Sequence, residues 1–225
     1  MTRRAFAGIA ALSLTSIMLA PASADPVEID ALRAAAKTHA FGCGAPFHRR
    51  LARAELLAAF GRPNVKDEQT ATDPEGMNPA TQTVLFDNTP ADRIALILGR
   101  DGPDVTVEGH SRWTGPGGLH VGSTLAEVVK ANGGPFSLTG LGTPDAGGIA
   151  VLAFEGPSKA KHSGCRMWVY FTSNPSAPAG ETEKAEAEDS TIMSTDPVLA
   201  AARPLVAKIS LSYCSAIAAD SAKRC

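Results

Sequence analysis

The chain has 225 residues, with 21 Lys plus Arg against 23 Asp plus Glu and a net charge of −2. That balance excludes a typical phosphate-backbone binder, which shows a basic domain or stripe. The nearest approach to one, His48-Arg49-Arg50, reads as a solvated helix start, so no nucleic-acid partner is expected. Aromatic residues make up only 5% of the chain, so a core must rest on Ala, Val, Leu and Ile.

Residues 1–24 read as a cleavable secretory signal. Arg3 and Arg4 form the positive n-region, the uncharged run from Ala5 to Ala20 forms the h-region, and Ala22-Ser23-Ala24 offers the small-residue cleavage site. Pro21 ends an apolar run barely 16 residues long, against the roughly 20 that a spanning helix needs, so no membrane span is expected. The first cysteine is Cys43, so no lipid anchor is expected at the mature N-terminus. Thr2-Arg3-Arg4-Ala5-Phe6 leaves both the general secretory and the twin-arginine routes open. Without residues 1–24 the charge falls to −4. The expected location is periplasmic or secreted.

Two disulfides are expected from Cys43, Cys165, Cys214 and Cys225, an even count whose spacing matches no zinc or redox pattern. Three connectivities are possible. If the strand opened by Cys165 and the strand closed by Cys214 are antiparallel neighbours, Cys165–Cys214 is geometrically easy, which leaves Cys43–Cys225.

Along the mature chain, Asp30 is expected to cap a first helix running to about His39, ended by Gly42-Cys43-Gly44-Ala45-Pro46. A second helix is expected from near His48, its tail being Ala54 to Phe60. That tail opens a repeat: Ala54 to Pro63 aligns without a gap on Ala126 to Pro135 at an offset of 72, and both copies keep the Gly and Pro that stop a helix. After the first copy, Thr83 to Phe86, Arg93 to Leu98 and Val105 to Trp113 read as three strands. After the second, the strands are Ile149 to Phe154, Cys165 to Phe171 and Ala207 to Cys214. The fold class expected is therefore α+β: an N-terminal helix, then two tandem repeats of a helix followed by a three-stranded antiparallel meander. The first repeat lies within residues 25–116 and the second within 117–225, and an acidic loop is inserted at about 174–204. Within that insertion, Asp196 to Ala202 is expected to form a short helix ending at Pro204.

Leu119-His120-Val121-Gly122-Ser123-Thr124-Leu125-Ala126-Glu127-Val128, followed by Gly133 and Pro135, resembles the signature of the SmpA/OmlA and β-lactamase-inhibitor-protein-like group. Thr124 and Glu127 stand at capping-box spacing, which gives the motif its folding logic. The sequence departs from the pattern at Ser123, where Met is more common, and at Gly134. The resemblance implies a concave antiparallel sheet set on packed helices that grips a partner protein, in envelope assembly or in inhibition of secreted hydrolases, without catalytic machinery. It carries over no contact residues.

Candidate chemistry is sparse. His39 with Cys43, and His162 with Cys165, lack the usual zinc spacing, so no metal is expected; Cys43 with His48 could pair as nucleophile and base, but five histidines and four cysteines always allow some such pairing, and no Gly-x-Ser-x-Gly elbow occurs. Gly115-Pro116-Gly117-Gly118 lacks the Lys of a phosphate loop and reads as the connector between repeats. Trp113, Trp168 and Tyr170 serve either core or binding face. Alternation along 165–171 sends Arg166, Trp168 and Tyr170 to the side opposite Cys165, Met167, Val169 and Phe171, and Arg, Trp and Tyr are favoured at interfaces. The expectation is an exported, non-enzymatic module with no cofactor, binding an envelope or secreted protein through Arg166, Trp168 and Tyr170. The alternative is a secreted hydrolase or small-ligand carrier.

Overall fold

The structure, a computed structural model, describes residues 25–71, 79–138, 148–152, 165–178, 180 and 191–213. The signal segment, residues 179 and 181–190 of the acidic insertion, His162, Cys214 and Cys225 lie outside the described residues.

Helix α1 spans Pro26–Thr38, earlier than expected. Asp25 is its N-cap, accepting the Val27 N–H at 2.9 Å, and Pro26 supplies the preset φ of a first helical position. Asp30 is therefore no cap; it lies inside the helix and pairs with Arg33 at 3.3 Å. Helix α2 begins at Arg53 and not near His48, because the His48-Arg49-Arg50 segment is a turn in which the Arg50 N–H donates to His48 Nδ1 at 3.2 Å. It ends at Phe60, with Gly61 beyond it at φ 76°. Ala52, at the cap, has no acceptor side chain, so the start of α2 relies on the Glu55 carboxylate, which accepts the Ala52 N–H at 2.7 Å.

Helix α3 (Leu125–Asn132) carries both halves of the expected capping box. Thr124 Oγ1 accepts from the Glu127 N–H at 3.3 Å and Glu127 accepts from the Thr124 N–H at 2.7 Å. Gly133 takes the left-handed cap position at φ 80°. Helix α4 (Pro197–Ala202) is the short helix read from Asp196, whose carboxylate accepts the Val198 N–H.

Nine strands are found among the described residues, in chain order β1 Val65–Ala71, β2 Pro79–Leu85, β3 Ile94–Gly99, β4 Gly102–Glu108, β5 Ser137–Leu138, β6 Gly148–Leu152, β7 Cys165–Thr172, β8 Ile192–Met193 and β9 Leu205–Tyr213. Seven join one sheet in the order β1-β2-β3-β4-β9-β7-β6, every neighbouring pair antiparallel, and β5 pairs with β8 in a second, two-stranded sheet. The expected three-strand meander after α2 is one strand short. Val65-Lys66-Asp67-Glu68-Gln69-Thr70-Ala71 has the composition of a loop, yet it forms the edge strand β1, where charged side chains also guard an open edge. The strand expected to run to Trp113 stops at Glu108.

One sheet face is core. Val65, Leu85, Leu96, Val105, Val107, Met167, Val169, Phe171, Ile209 and Leu211 form a single cluster with Leu32 of α1, Leu56 of α2, Val128 of α3 and Leu199 of α4. Trp113 belongs to this core, fully buried, with its indole N–H donating to the Asp92 carbonyl at 2.7 Å. The start of α3 is fixed to the sheet by paired backbone bonds, Gly122 N–H to Val206 O at 2.7 Å and Val206 N–H to Ser123 O at 2.8 Å.

The disulfide joins Cys43 to Cys165, not Cys165 to Cys214. β7 and β9 are antiparallel neighbours as expected, but their register sets Tyr213, not Cys214, opposite Cys165. Since successive strand residues face opposite sides, one position decides which side chain shares the face of Cys165. With Cys43 committed to Cys165, the Cys43–Cys225 pairing falls as well.

Candidate functional site: an aromatic and cationic sheet face

Strand β7 alternates as the sequence predicts: Cys165, Met167, Val169 and Phe171 are buried, while Arg166, Trp168 and Tyr170 are half-buried on the other face. The register extends that second face across the sheet. Trp168 stands opposite Ser210 and Tyr170 opposite Lys208 on β9, and these in turn stand opposite Thr106 and Glu108 on β4. Two cations lie over the two rings. Arg166 Cζ is 5.8 Å from the Trp168 ring centroid and Lys208 Nζ is 4.0 Å from that of Tyr170, both within cation–π range. Burial pushes the Tyr170 phenol above its ordinary value, so it stays neutral.

Away from the aromatic rows the same face turns polar. Thr106 and Ser210 share a hydroxyl bond of 2.9 Å, and Arg93 reaches Glu68 at 2.9 Å, Asp87 at 3.5 Å and Glu108 at 3.6 Å. Lys66 pairs with Asp87 at 2.8 Å and, chiefly through that hydrogen bond, holds its carboxyl below the ordinary range. Val84 and Ala95 are buried apolar positions on this face. Arg166, Trp168 and Tyr170 are thus brought into one row. Lys208 was not predicted as part of it, because its place beside Tyr170 depends on the β7–β9 register, which alternation within either strand does not set.

The enzyme-like groupings take on structural roles. Cys43 and Cys165 are joined to each other, so neither is a thiolate for a nucleophile or a metal. His39 Nε2 lies 2.9 Å from Asp92 Oδ1, and Arg112 Nε donates to the same oxygen at 2.7 Å, a cluster that ties the end of α1 to the segment after β4. A hollow of ~390 Å³ lies against α3, lined by Gly117, Gly118, Leu119, Ser123, Glu127, Lys130 and Ala131. Its one hydroxyl, on buried Ser123, is committed to the His120 N–H and ring nitrogen, both at 3.1 Å, and Glu127 is committed to the cap of α3.

Sequence reading missed one further cluster. Glu28 of α1, His48 of the turn and Glu55 of α2 bring a donor atom each within 4.8 Å of one another. The hydrogen bond to Glu55, more than burial, raises the Glu28 carboxyl above its ordinary value. Among the described residues no helix is long and apolar enough to cross a membrane. Comparisons with protein-family models, with curated proteins and with solved structures return no match to this chain.

Proposed function

We propose that this is an exported, non-enzymatic protein-binding module that docks a partner on the sheet face carrying Arg166, Trp168, Tyr170 and Lys208. The observation that carries the reading is the two-sidedness of β7. One set of side chains is sealed in the core, while the other leaves Trp168 and Tyr170 half-exposed with a cation over each ring. Large rings already held by neighbouring side chains lose little freedom on binding, and Trp, Tyr and Arg are the residues that most often dominate protein interfaces. In a chain of net charge −2, two cations on one row favour a partner surface with acidic groups among apolar ones. Export fits the Cys43–Cys165 disulfide, which persists in oxidising compartments. The partner class is an envelope or secreted protein.

The same proposal takes the chain as a duplication. Helices α2 and α3 stand at a 72-residue offset at both ends, as do Val65 and Ser137, which open β1 and β5. Among the described residues each helix is followed by four strands if β8 is set apart with the insertion, and the sheet order is mirrored about the β4–β9 pair, with β3 and β7 next outward and then β2 and β6. The resemblance of the 119–135 motif to the SmpA/OmlA and β-lactamase-inhibitor-protein-like group supports the same reading of a sheet used as a docking face.

The test is retention of binding partners from a native envelope extract by the wild-type chain and by Trp168→Ala. Loss of a specific partner with the variant, at unchanged thermal stability, is the expected outcome. Equal retention would remove the face from the account.

A further inference from the structure

We propose that Glu28, His48 and Glu55 form a binding site for one divalent d-block cation of the zinc class, which clamps α1 onto the start of α2.

The geometry carries this. His48 Nε2 lies 3.4 Å from Glu28 Oε2 and 3.6 Å from Glu55 Oε1. Ligand atoms about 2.05 Å from a tetrahedral metal stand about 3.3 Å apart, so these separations approximate the edges of such a site while being long for direct hydrogen bonds. His48 Nε2 is itself buried, with no hydrogen-bond partner, an outcome that buried polar atoms ordinarily avoid. Glu55 is buried as a residue, yet its carboxylate is turned toward the same point, one oxygen on the Ala52 N–H and the other facing His48. Two carboxylates and an imidazole from three separate segments thus converge on one position; the turn at His48 uses Nδ1 and leaves Nε2 facing the carboxylates.

The donor set selects the cation. One nitrogen and two carboxylates are too few oxygens for Ca²⁺, which takes six to eight, and the imidazole favours Zn²⁺ over Mg²⁺. Three protein donors leave a fourth position for water, and the half-exposed Glu28 side provides the entry path. The Arg50 N–H donates to Nδ1, so the ring proton lies on Nε2, facing the carboxylates. Loading moves that ring proton to Nδ1 and gives up the 3.2 Å Arg50 contact in exchange for a metal–nitrogen bond.

The experiment is calorimetric titration of the metal-stripped, oxidised chain with ZnCl₂ near neutral pH, alongside Glu28→Gln, His48→Gln and, as a surface-histidine control, His120→Ala. The expected result is one saturable site in the wild type and the control. Affinity should fall by more than about 100-fold in Glu28→Gln and His48→Gln, since loss of a group merely supporting a ligand already costs about 10- to 100-fold. Co²⁺ in place of Zn²⁺ should give the strong visible absorption of a tetrahedral site in the wild type and the control, and not in Glu28→Gln or His48→Gln. No saturable Zn²⁺ binding by the wild type would overturn the proposal, and so would wild-type affinity in Glu28→Gln. That variant changes a half-exposed side chain and decides the matter even if His48→Gln does not fold.

Discussion

The Tyr213 hydroxyl donates to the Phe47 carbonyl oxygen at 2.6 Å and accepts the Gly44 N–H at 2.7 Å, so the last described residue of β9 holds both ends of the loop that follows Cys43. Tyr213 also stands opposite Cys165, the residue disulfide-bonded to Cys43, and Arg49 lies over its ring at 5.2 Å. Tyr213→Phe removes both hydroxyl bonds while keeping the ring. The loss should be about 1–3 kcal/mol, because the Phe47 carbonyl and Gly44 amide are left to find water. A midpoint within error of the wild type in urea denaturation would show that the loop is held by the disulfide alone.

Gly102 provides a second probe of the same corner. It sits at φ 130°, and a Cβ built there would lie 2.5 Å from Tyr213 Cδ2 and 2.9 Å from its Cβ, so both its backbone and its space require glycine. Gly102→Ala should destabilise by about 1–3 kcal/mol, through strain and the displaced ring. Calorimetric melting checks this, and a rise in the midpoint would contradict the assigned packing of β4 against Tyr213.

The Cys43–Cys165 bond closes a loop with a sequence separation of 122, for which chain entropy alone gives about 5 kcal/mol, and measured losses of native disulfides run about 2–5 kcal/mol. Cys43→Ser should therefore lower stability by about 2–5 kcal/mol. Peptide mapping of the unreduced protein should recover Cys43 linked to Cys165. A Cys165–Cys214 peptide as the major species would refute the register drawn between β7 and β9.

Acid should weaken the fold. Hydrogen bonding from Arg53 lowers the Asp67 carboxyl, Lys66 lowers Asp87, and the Thr124 N–H lowers Glu127. A group with its folded pKa below its unfolded value, about 4 for these side chains, adds stability that is present above that pH and is lost as pH falls through the folded value. Glu28, raised chiefly by its hydrogen bond to Glu55, runs the other way, its share being lost as pH rises. Three lowered groups against one raised group predict a urea midpoint that falls between pH 5 and pH 3. A midpoint that holds or rises over that range would contradict the assigned pairings, which tie α2 to β1, β1 to the loop after β2, and Thr124 to α3.

The parts of the fold legible in the sequence are those set by neighbours a few positions away. Thr124 with Glu127, Asp196 before Pro197, and the alternation from Cys165 to Phe171 each predict what forms. What was illegible depends on pairing between distant segments. Strand β1 looks like loop because its side chains are polar, and it is a strand only because β2 offers it an edge. The disulfide partner of Cys165 turns on a one-residue register, Lys208 joins the aromatic row through that same register, and Glu28, His48 and Glu55 meet only after α1 folds back over the turn onto α2. Trp113 could be placed in core or on a face by sequence; its buried indole bond to Asp92 decides for core.

The central claim, that the row of Arg166, Trp168, Tyr170 and Lys208 is a docking face, is tested most directly by Trp168→Ala, read for partner retention and thermal midpoint together. Truncating a dominant interface aromatic costs on the order of 2 kcal/mol, which corresponds to roughly thirtyfold weaker binding. The account predicts that loss at an essentially unchanged midpoint, with retention by the wild type falling as salt rises because Arg166 and Lys208 contribute charge. Undiminished retention by Trp168→Ala would contradict the account, and so would a midpoint depressed as far as a core truncation depresses it, which would place the ring in the fold and leave the binding face elsewhere.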